Sequence, residues 1–484
     1  MKTKKPNIVL IIIDALRQDH LSCYGYPKKT SPNIDKIAKE GLLFENFYST
    51  SCWTVPSHAS LFTGLYPTEH QTNDGESLLN PNLLSLPEKL KNQGYTTIGF
   101  SDNPYISKFL DFSRGFDLFE DPFFREDIID WRTFVKKRKH KKGIAKYIEI
   151  LKYLFEQKKE GKKFLSSIKT GIQLKFFEFF EAKFKRGDKG AKRVLQKIKK
   201  EKSKLLKEPY FLFINFMEVH GPYRPPLRYS PFLLNHPFWF FLAPYPNAWD
   251  YYVKGKDFFK EIDQLLPFYD AEIRYIDKII GDLFEELKSK NTIFIITSDH
   301  GEKFGEKGQI NHIYSLDEVL IKIPLIIWGC GKGRIKKFFQ LTDLHWGIVE
   351  LAGLKENPPW HSFSIFGNFE KPSVFCEYFL WNERYLRKKY PLSIVKKYFD
   401  HQIKAIIKDQ WKYIKNFTTK KEELYFLKDD PQEKNDLSSK NPEVLEKMRN
   451  LLNDFLSKLQ KCENVKKTQE KEDIQKHLQA LGYI

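Results

Sequence analysis

The sequence predicts an α/β fold in which a central, mainly parallel β-sheet is flanked by helices. Three short runs, each long enough for one strand, are almost wholly apolar: Asn7–Ile13, Tyr210–Phe216 and Thr292–Ile296. Continuous apolar runs are typical of parallel strands that are buried on both faces. Segments with helical signals separate these runs along the chain, and such alternation favours one sheet covered by helices on both sides.

Helix signals and further strands lie between these runs. Ser31–Gly41 starts with a capping serine followed by proline and ends in glycine, and Leu86–Gly94 repeats that pattern. Capping residues and proline favour a helix start, whereas glycine favours a helix end. Strands are predicted at Leu42–Tyr48, Thr96–Phe100 and Pro324–Trp328.

A small second unit is predicted near the C-terminus. Short strands follow one another between about residues 372 and 425, and Pro442–Leu459 has the spacing of an amphipathic helix. We therefore expect a small C-terminal antiparallel sheet plus helix that closes one side of the larger unit. The predicted organisation is a catalytic α/β domain at 1–371 with a basic helical insertion at about 126–207, an α+β subdomain at 372–462 and a charged tail at 463–484.

The stretch Ser51–Gly64 is typical of a nucleophile elbow. Pro56 has no amide hydrogen and a preset φ, so it suits the first turn of a helix and puts Thr54 at the N-terminus of that helix. The unpaired amides and the positive dipole end there favour an alkoxide and the oxyanionic esters that it attacks. A threonine hydroxyl is a weak nucleophile that needs a base or a metal ion. The alternative role for Thr54 is a simple helix cap.

Residues that can bind a metal ion follow two of the apolar runs. Asp14 closes the first run, and Asp299 and His300 follow the last one. Ligands of open α/β sheets lie at the C-terminal ends of the strands. A carboxylate that closes a buried strand is costly unless it is paired or coordinated. We therefore predict that Asp14, Thr54, Asp299 and His300 form a divalent-metal site.

Several motifs, in matching order and spacing, resemble the sulfatase branch of the alkaline-phosphatase-like superfamily. That resemblance implies the alkaline-phosphatase-like fold and a metal-dependent hydrolase or transferase of sulfate or phosphate esters. The matching segments are Ile11–Arg17, Asp19–Tyr26, Thr54–His58 with Leu61–Gly64, Tyr269–Arg274 with Asp277, Ser298–Glu302, Gln410–Ile414, and Glu423–Tyr425 with Asp430–Pro431.

The sequence departs from the usual sulfatase pattern at the nucleophile. Sulfatases of the usual kind carry a cysteine at the Thr54 position, converted to formylglycine, and an arginine four residues later, where this chain has His58. Threonine cannot yield that aldehyde, and Cys52 is out of register with the proline, so no formylglycine is expected. A sulfated or phosphorylated threonine must instead be cleaved by a second in-line attack of water. This requirement favours phosphorus esters as substrates, whereas the overall sequence similarity favours sulfate esters.

The resemblance also points to histidines. His220 lies on a loop similar to the family's histidine-containing active-site loop, and His312 holds a position where many relatives have a substrate-binding lysine or histidine. Each imidazole could protonate a leaving oxygen or bind the anionic ester, and histidines titrate near neutrality. The predicted catalytic residues are Thr54, His220, His312 and His58, with a structural, hydrogen-bonded role as the alternative for the histidines.

The sequence predicts a single metal ion. It contains no convincing second Asp/His/His set of the kind that two-metal phosphodiesterases need. Histidine together with carboxylates favours Mn²⁺ or Zn²⁺, with Ca²⁺ or Mg²⁺ as alternatives. Arg17, Asp19 and Asn103 are predicted near the site in supporting roles.

The predicted function is hydrolysis of sulfate esters, or of related phosphate diesters and phosphonates, by a threonine nucleophile. One alternative is transfer of a phospho-headgroup to a sugar or lipid acceptor. An alternative of another class is a non-catalytic homologue that binds polyanions. The predicted partner is a small anionic ester, and the group that carries it could be a sugar or a lipid.

Composition bounds these hypotheses. The 484 residues, 41% of them hydrophobic and 30% charged, describe an ordinary globular protein with a net charge of +19. Much of that excess lies in the insertion, so we expect a solvated basic face and no nucleic-acid partner; contact with a membrane surface through this insertion or the aromatic segment Pro231–Tyr252 is the alternative. The first apolar run ends in Asp14 and no run reaches membrane-spanning length, so a cytoplasmic protein is expected.

Overall fold

The computed structural model describes residues 5–74, 77–121, 187–229, 259–312, 314–367, 371–379, 392–398 and 400–462. The predicted insertion is described only from residue 187 onward. The aromatic segment Pro231–Tyr252 and the tail at 463–484 lie outside the described residues.

Eight strands in the described part form one large sheet. In chain order the strands of the protein begin with β1 (Asn7–Ile13), β2 (Leu42–Tyr48), β3 (Thr96–Ser101), β4 (Leu118–Glu120), β5 (Tyr210–Phe216), β6 (Thr292–Thr297), β7 (Lys303–Phe304), β8 (Ile310–Asn311), β9 (Leu325–Trp328) and β10 (Gly333–Gln340). The large sheet has the order β10-β2-β9-β6-β1-β5-β3-β4, and β7 pairs with β8 in a separate hairpin. Only β9 runs antiparallel to its neighbours in the large sheet, so the prediction of a mainly parallel sheet is confirmed.

Helices lie on both faces of this sheet. The helices of the described part are α1 (Pro32–Glu40), α2 (Thr54–Thr63), α3 (Pro67–His70), α4 (Leu86–Asn92), α5 (Ala191–Leu205), α6 (Phe259–Leu287), α7 (Glu318–Ile321), α8 (Leu341–Leu351), α9 (Leu392–Tyr398) and α10 (Pro442–Lys458). Alternate residues of β1 enter two different cores: Ile8, Leu10 and Ile12 pack with α2, whereas the intervening residues pack with α5 and α6. Burial on both faces explains why β1 reads as a continuous apolar run.

The register of the three central strands positions the site. Ile13 of β1 lies opposite Phe216 of β5, and Ile12 lies opposite Thr297 of β6. The three strands are parallel, so their carboxyl ends meet at one edge of the sheet. The residues that follow these strands are therefore close neighbours although they are far apart in sequence.

The C-terminal unit is the predicted antiparallel sheet plus helix. Strands β11 (Val374–Tyr378), β12 (Ile403–Lys408), β13 (Trp411–Asn416) and β14 (Glu422–Phe426) pair in that order. The helix α10 packs on this sheet through Met448, Leu452 and Phe455, in a core of their own with residues of the sheet.

Candidate active site and metal centre

The nucleophile candidate Thr54 is the first residue of helix α2. The preceding Trp53 is extended, with φ −156° and ψ 168°, and the helix begins where Pro56 can occupy its first turn. Every residue of α2 is buried, and Thr54 is 4% exposed. Its hydroxyl oxygen lies 3.2 Å from Nε2 of His300 and 3.4 Å from Oδ2 of Asp14. The structure therefore points this hydroxyl at residues that follow β1 and β6.

Asp14, Asp299 and His300 form a buried group that fits a metal ion. Each offers one ligand atom, and these atoms lie within 4.8 Å of one another. Asp14 and His300 are fully buried and Asp299 is 1% exposed. Oδ1 of Asp14 and Oδ2 of Asp299 accept no hydrogen bond from the described residues. Buried carboxylate oxygens without donors are costly, so this donor set suits a cation.

The tautomer of His300 is set by its neighbour. Nδ1 of His300 lies 2.8 Å from the carbonyl oxygen of Gly301, which can only accept a hydrogen bond. Nδ1 therefore carries the proton, and the lone pair of Nε2 faces Thr54 and the two carboxylates. A neutral imidazole with one nitrogen held by a carbonyl is the usual form of a metal-binding histidine.

The two carboxylates differ in their electrostatic environment. Burial, followed by the charge of Asp299, raises the pKa of Asp14 to about 8. Burial opposes ionisation of Asp299 too, but His300 and His58 outweigh it and lower the pKa of Asp299. Burial opposes the charged form of His300, but Asp299 and Asp14 outweigh it and raise the pKa of His300. Two carboxylates that compete for one buried site are the arrangement that a bound cation would relieve.

A hydrogen-bond framework orients Asp14. Nδ2 of Asn103 donates to Oδ2 of Asp14 at 2.6 Å, and the side-chain oxygen Oδ1 of Asn103 accepts from the backbone amide of Tyr105 at 2.8 Å. The chain turns sharply after Asp14, because Ala15 has a positive φ of 60° and its amide donates to Oδ1 of Asp299 at 3.3 Å. The hydroxyl of Tyr269 secures that turn by donating to the Ala15 carbonyl at 2.8 Å. Asn103, predicted only as a supporting residue, thus contacts a ligand directly.

His58 lies one helical turn after the nucleophile and is fully buried. Its Nδ1 donates to the carbonyl of Thr54 at 3.0 Å, and its Nε2 accepts from Nδ2 of Asn215 at 3.1 Å. Nδ1 is also 3.6 Å from Oδ2 of Asp299. Both ring nitrogens are therefore engaged by the protein, which corresponds to the structural alternative that the sequence left open.

His220 and His312 lie together beside the metal-ligand candidates. The ring of His312 stacks on that of His300 with centroids 4.2 Å apart, and the ring of His220 meets His312 edge-on at 5.1 Å. Nδ1 of His220 donates to the Gly221 carbonyl at 2.7 Å, which leaves Nε2 available to a ligand. His220 lies on the loop after β5, and His312 directly follows β8.

Sequence reasoning missed one partner of these histidines, Glu302. Its Oε1 lies 3.4 Å from Nδ1 of His312, and its Oε2 accepts from the hydroxyl of Tyr223 at 3.0 Å. Glu302 is 3% exposed, and burial raises its pKa. It belongs to the matching segment Ser298–Glu302, so its position in that motif was a signal for a role at the site.

The expectation that the three histidines titrate near neutrality is corrected by their burial. Burial lowers the pKa of His58 and of His220, although nearby carboxylates oppose the change. Burial, His300 and His220 together lower the pKa of His312 well below its ordinary value. In the protein without substrate, these imidazoles are therefore neutral at pH 7.

Two other residues near the site have structural partners. The guanidinium of Arg17 forms a bidentate pair with Asp19, at 2.7 and 2.9 Å, and also donates to the carbonyl of Glu302. Arg17 thus joins the turn after β1 to the loop after β6. This agrees with the supporting role expected for Arg17 and Asp19.

Comparisons with known proteins place the chain in a family. The family model described as Sulfatase matches residues 6–354. The chain belongs to the sulfatase family. It is similar to arylsulfatase K of Canis lupus familiaris, with 23% identity over 93% of this chain and 82% of the relative. It is also similar to N-acetylgalactosamine-6-O-sulfatase of Bacteroides thetaiotaomicron, with 24% identity over 93% of each chain.

Solved structures agree on the fold of this sulfatase. Phosphonate monoester hydrolase of Agrobacterium radiobacter superposes with a TM-score of 0.67 at 17% identity, covering 93% of this chain and 95% of that one. A protein solved with its substrate D-glucosamine-2-N,6-O-disulfate gives a TM-score of 0.64 at 16% identity, covering 97% and 99%. The alkaline-phosphatase-like fold is thereby confirmed.

Family membership fixes the broad activity. The chain is a sulfuric-ester hydrolase in family and fold. Enzymes of this kind generally use a divalent metal, for which Asp14, Asp299 and His300 are the candidate ligands. No helix in the described part of the chain is both long and apolar enough to span a bilayer.

Proposed function

We propose that this sulfatase cleaves sulfate esters, or phosphate diesters and phosphonates, with the hydroxyl of Thr54 as its nucleophile. One observation carries the proposal: the Thr54 hydroxyl lies within hydrogen-bond distance of both His300 and Asp14, at the N-terminus of a buried helix. A phosphonate monoester hydrolase and a protein solved with a sulfated sugar as its substrate share the fold. The proposal therefore includes both classes of ester.

The proposed metal site consists of Asp14, Asp299 and His300, with Thr54 as the fourth ligand. The two carboxylate oxygens without donors and the Nε2 lone pair of His300 support this assignment. Mixed imidazole and carboxylate ligands favour Mn²⁺ or Zn²⁺ over Ca²⁺ or Mg²⁺. When bound, a divalent ion lowers the pKa of a coordinated hydroxyl and withdraws charge from the oxygens of the ester.

The residues of the chain supply the rest of the mechanism. Thr54 attacks the sulfur or phosphorus atom in line with the leaving alcohol, whose bond to that atom breaks, and the hydroxyl proton of Thr54 passes to Oδ2 of Asp14, the oxygen of that carboxylate that is not a proposed ligand. The amides at the first turn of α2 stabilise the negative charge of the transition state, because they have no partners within the helix. The ester on Thr54 is then resolved by a water molecule.

His220 and His312 are the proposed proton donors to the leaving alcohol. Nδ1 of His220 and the backbone amide of His312 each make a hydrogen bond within the protein. Neither bond involves the Nε2 atom of the ring. Both imidazoles are neutral without substrate, but an anionic ester placed between them raises their pKa values, since a nearby negative charge favours the imidazolium. His58 is proposed to hold the Thr54 carbonyl and so to aim the nucleophile.

The test is a substrate screen with metal-depleted enzyme and each metal restored in turn. The panel contains an aryl sulfate, an aryl phosphate monoester, an aryl phosphodiester and an aryl phosphonate. We expect turnover to depend on added Mn²⁺ or Zn²⁺ and Thr54→Ala to lose at least about three orders of magnitude, because it lacks the nucleophile. Thr54→Ser keeps a hydroxyl and should retain much of the activity.

The controls separate loss of the nucleophile from loss of the metal. Stoichiometric metal in purified Thr54→Ala, measured by elemental analysis, shows that three of the proposed ligands still bind. Thr54→Ala with near wild-type turnover on all four esters would overturn the proposal. Equal activity with and without a chelator would overturn the metal site.

A further inference from the structure

The ring of His220 is held by backbone groups of its own loop. Its Nδ1 donates to the carbonyl of Gly221 at 2.7 Å, and its amide donates to the carbonyl of Met217 at 3.1 Å. The direction of Nε2 therefore depends on the path of the backbone at residues 217–224, which we call the His220 loop. The residues of this loop belong to no helix or strand. Contacts from outside the loop must fix its path.

Lys189 supplies such a contact. It lies two residues before helix α5, and its Nζ donates to the carbonyl of Glu218 at 2.9 Å and to the carbonyl of His220. An ammonium group has three donors, so one lysine can bind two carbonyls of the same loop. Hydrogen bonds from a charged donor are stronger than those between neutral groups. Lys189 therefore acts on the backbone of His220 itself.

The side chain of Lys189 is fixed in its turn. It is 22% exposed, and its Nζ lies 3.7 Å from Oε1 of Glu272, a fully buried carboxylate on helix α6. The amide of Lys189 donates to Oε1 of Glu218 at 3.2 Å. The lysine thus joins three elements: the start of α5, helix α6 and the His220 loop.

The end of the His220 loop is held by neighbours of Lys189. The amide of Arg224 donates to Oε1 of Glu272 at 2.7 Å, and the carbonyl of Arg224 accepts from the amide of Gly187 at 2.8 Å. These two bonds secure the backbone four residues after His220. The bonds from Lys189 act closer to the imidazole, so their loss should displace the ring most.

We propose that Lys189 is a positioning residue that holds Nε2 of His220 where it can reach the leaving alcohol. In that reaction Nε2 gives its proton to the leaving oxygen as the bond to sulfur or phosphorus breaks. Both hydrogen bonds of Nζ go to carbonyls of the loop, and the carboxylate of Glu272 already lies beside the ammonium charge. These contacts favour an action through the loop over direct contact with an ester.

Three single variants test this role in the full-length protein. Lys189→Met removes the donors and keeps an unbranched side chain. Lys189→Arg keeps a cation with several donors and tests for rescue. Lys192→Met is the matched control, because Lys192 lies on the first turn of α5 and is exposed.

The inference rests on the proposed function of His220 as proton donor, but the position of the loop can be measured without turnover. Hydrogen exchange followed by mass spectrometry reports how often the amides of the loop lose protection. In Lys189→Met, the amides of His220 and Arg224 should exchange at least about tenfold faster, because the loop opens more often. Lys189→Arg and Lys192→Met should stay within about threefold of the wild type. Unchanged exchange in Lys189→Met would overturn the proposal.

Kinetics on two esters of the same acid group test the effect on proton donation. On an alkyl ester, Lys189→Met should lose roughly tenfold to a hundredfold in kcat, because a small displacement of a reacting group has an effect of that size. On a 4-nitrophenyl ester the loss should be less than about threefold, since this leaving group needs little help from an acid. KM should stay nearly unchanged on both esters. A raised KM with equal losses of kcat would show that Lys189 binds the ester itself and would contradict the proposal.

A double-mutant cycle connects the two residues. Lys189→Met added to His220→Ala should cost less than about twofold on the alkyl ester, because the donor that it positions is already absent. Fully additive losses would overturn the proposal, as would a lower thermal midpoint with unchanged kinetics, which indicates a structural role alone. Faster loop exchange in Lys189→Met together with wild-type kcat in His220→Ala would refute the proposed function of His220 and leave the contact between Lys189 and the loop standing.

Discussion

In the proposed mechanism, the reactivity of Thr54 depends on side chains that hold its neighbours in place. Asp14 is oriented by the 2.6 Å hydrogen bond from Asn103, and one oxygen of Asp14 is left for a metal ion. Residues that orient metal ligands typically contribute tenfold to a hundredfold to metal affinity. The geometry thus gives Asn103 an orienting role at the candidate metal site, although it is not itself a candidate ligand.

We predict that Asn103→Ala weakens metal binding by roughly tenfold to a hundredfold, because Asp14 loses the donor that orients it. Competition with a fluorescent chelator measures the affinity directly. Asn46→Ala is the control, since Asn46 makes one exposed hydrogen bond to the Lys336 carbonyl. Unchanged metal affinity in Asn103→Ala would contradict the orienting role.

The histidines can be told apart by the leaving group of the ester. A proton donor matters most when the leaving alcohol is a poor one, whereas a residue that positions the nucleophile matters equally for all esters. We predict that His312→Ala or His220→Ala loses far more activity on an alkyl ester than on a 4-nitrophenyl ester. His58→Ala should lose a similar factor on both, since His58 holds the Thr54 carbonyl.

A series of esters with graded leaving-group pKa values measures this difference as the slope of rate against pKa. A steeper slope in the His312 or His220 variant than in the wild type supports proton donation. A slope that steepens only in the His58 variant would reverse the assignment of these roles.

At the scale of elements, the turn that precedes α5 is fastened to the active-site edge by buried carboxylates. Glu218 is fully buried, and its Oε1 accepts from the amides of Ala191 at 2.9 Å and Lys189 at 3.2 Å. Gly190 lies between these amides with φ of 146°, and a Cβ there would meet the Asp102 carboxylate at 2.3 Å. Only glycine fits this close approach.

This turn predicts a pH dependence of stability. Burial, followed by the charge of Asp102, raises the pKa of Glu218 from 4.5 to about 8. The folded chain therefore holds this proton more tightly than the unfolded chain, and stability falls as pH rises between about 4.5 and 8. Glu218→Gln keeps a carbonyl for the Ala191 amide and removes the titration.

We expect the thermal midpoint of the wild type to fall by a few degrees more than that of Glu218→Gln between pH 5 and pH 8, measured by circular dichroism. Glu201→Gln on the accessible side of α5 is the control and should follow the wild type. Parallel pH curves for the wild type and Glu218→Gln would refute the linkage.

The sequence predicts best the elements that are buried on both faces. The predicted bounds of β1, β2 and β5 are those of the structure. Every residue of β1 and of β5 is buried, which is why each is a continuous apolar run. Strand β10 is not predicted, since it lies at the sheet edge and most of its residues are partly or fully exposed. Helix α6 is recognised only through its motif, because Pro267 inside it is a residue that usually ends a helix.

The residues of the candidate site also differ in how well the sequence predicts them. Asp14, Thr54, Asp299 and His300 could be predicted because each follows or begins a recognisable element. Glu302 could not be paired with His312, since their contact depends on how the β7–β8 hairpin folds back over the site. Burial, which sets the pKa values of the histidines, is likewise a property of the whole fold.

At the scale of the whole molecule, buried charges join the two sheets. Lys412 of β13 is fully buried, and its Nζ lies 3.0 Å from Oε1 of Glu318 and 2.8 Å from Oε1 of Glu433. The hydroxyl of Tyr48, at the end of β2, donates to the other oxygen of Glu318 at 3.1 Å. This network connects the C-terminal sheet to the strand that leads to the nucleophile.

We predict that Lys412→Met lowers the free energy of unfolding by about 3–5 kcal/mol, because two buried carboxylates lose their cation. Chemical denaturation measures the loss. Lys412→Met combined with Glu433→Gln should recover part of it, since one of the two charges is removed as well. A single variant as stable as the wild type would show that this network does not hold the two sheets together.

The central claim is that Thr54 is esterified during turnover. The most direct measurement is peptide mass spectrometry of the enzyme after rapid acid quench on an aryl ester that it turns over. We expect one sulfuryl or phosphoryl group on the peptide that contains Thr54, and no such peptide from Thr54→Ala. An adduct on another residue, or turnover by Thr54→Ala at the wild-type rate, would contradict the account.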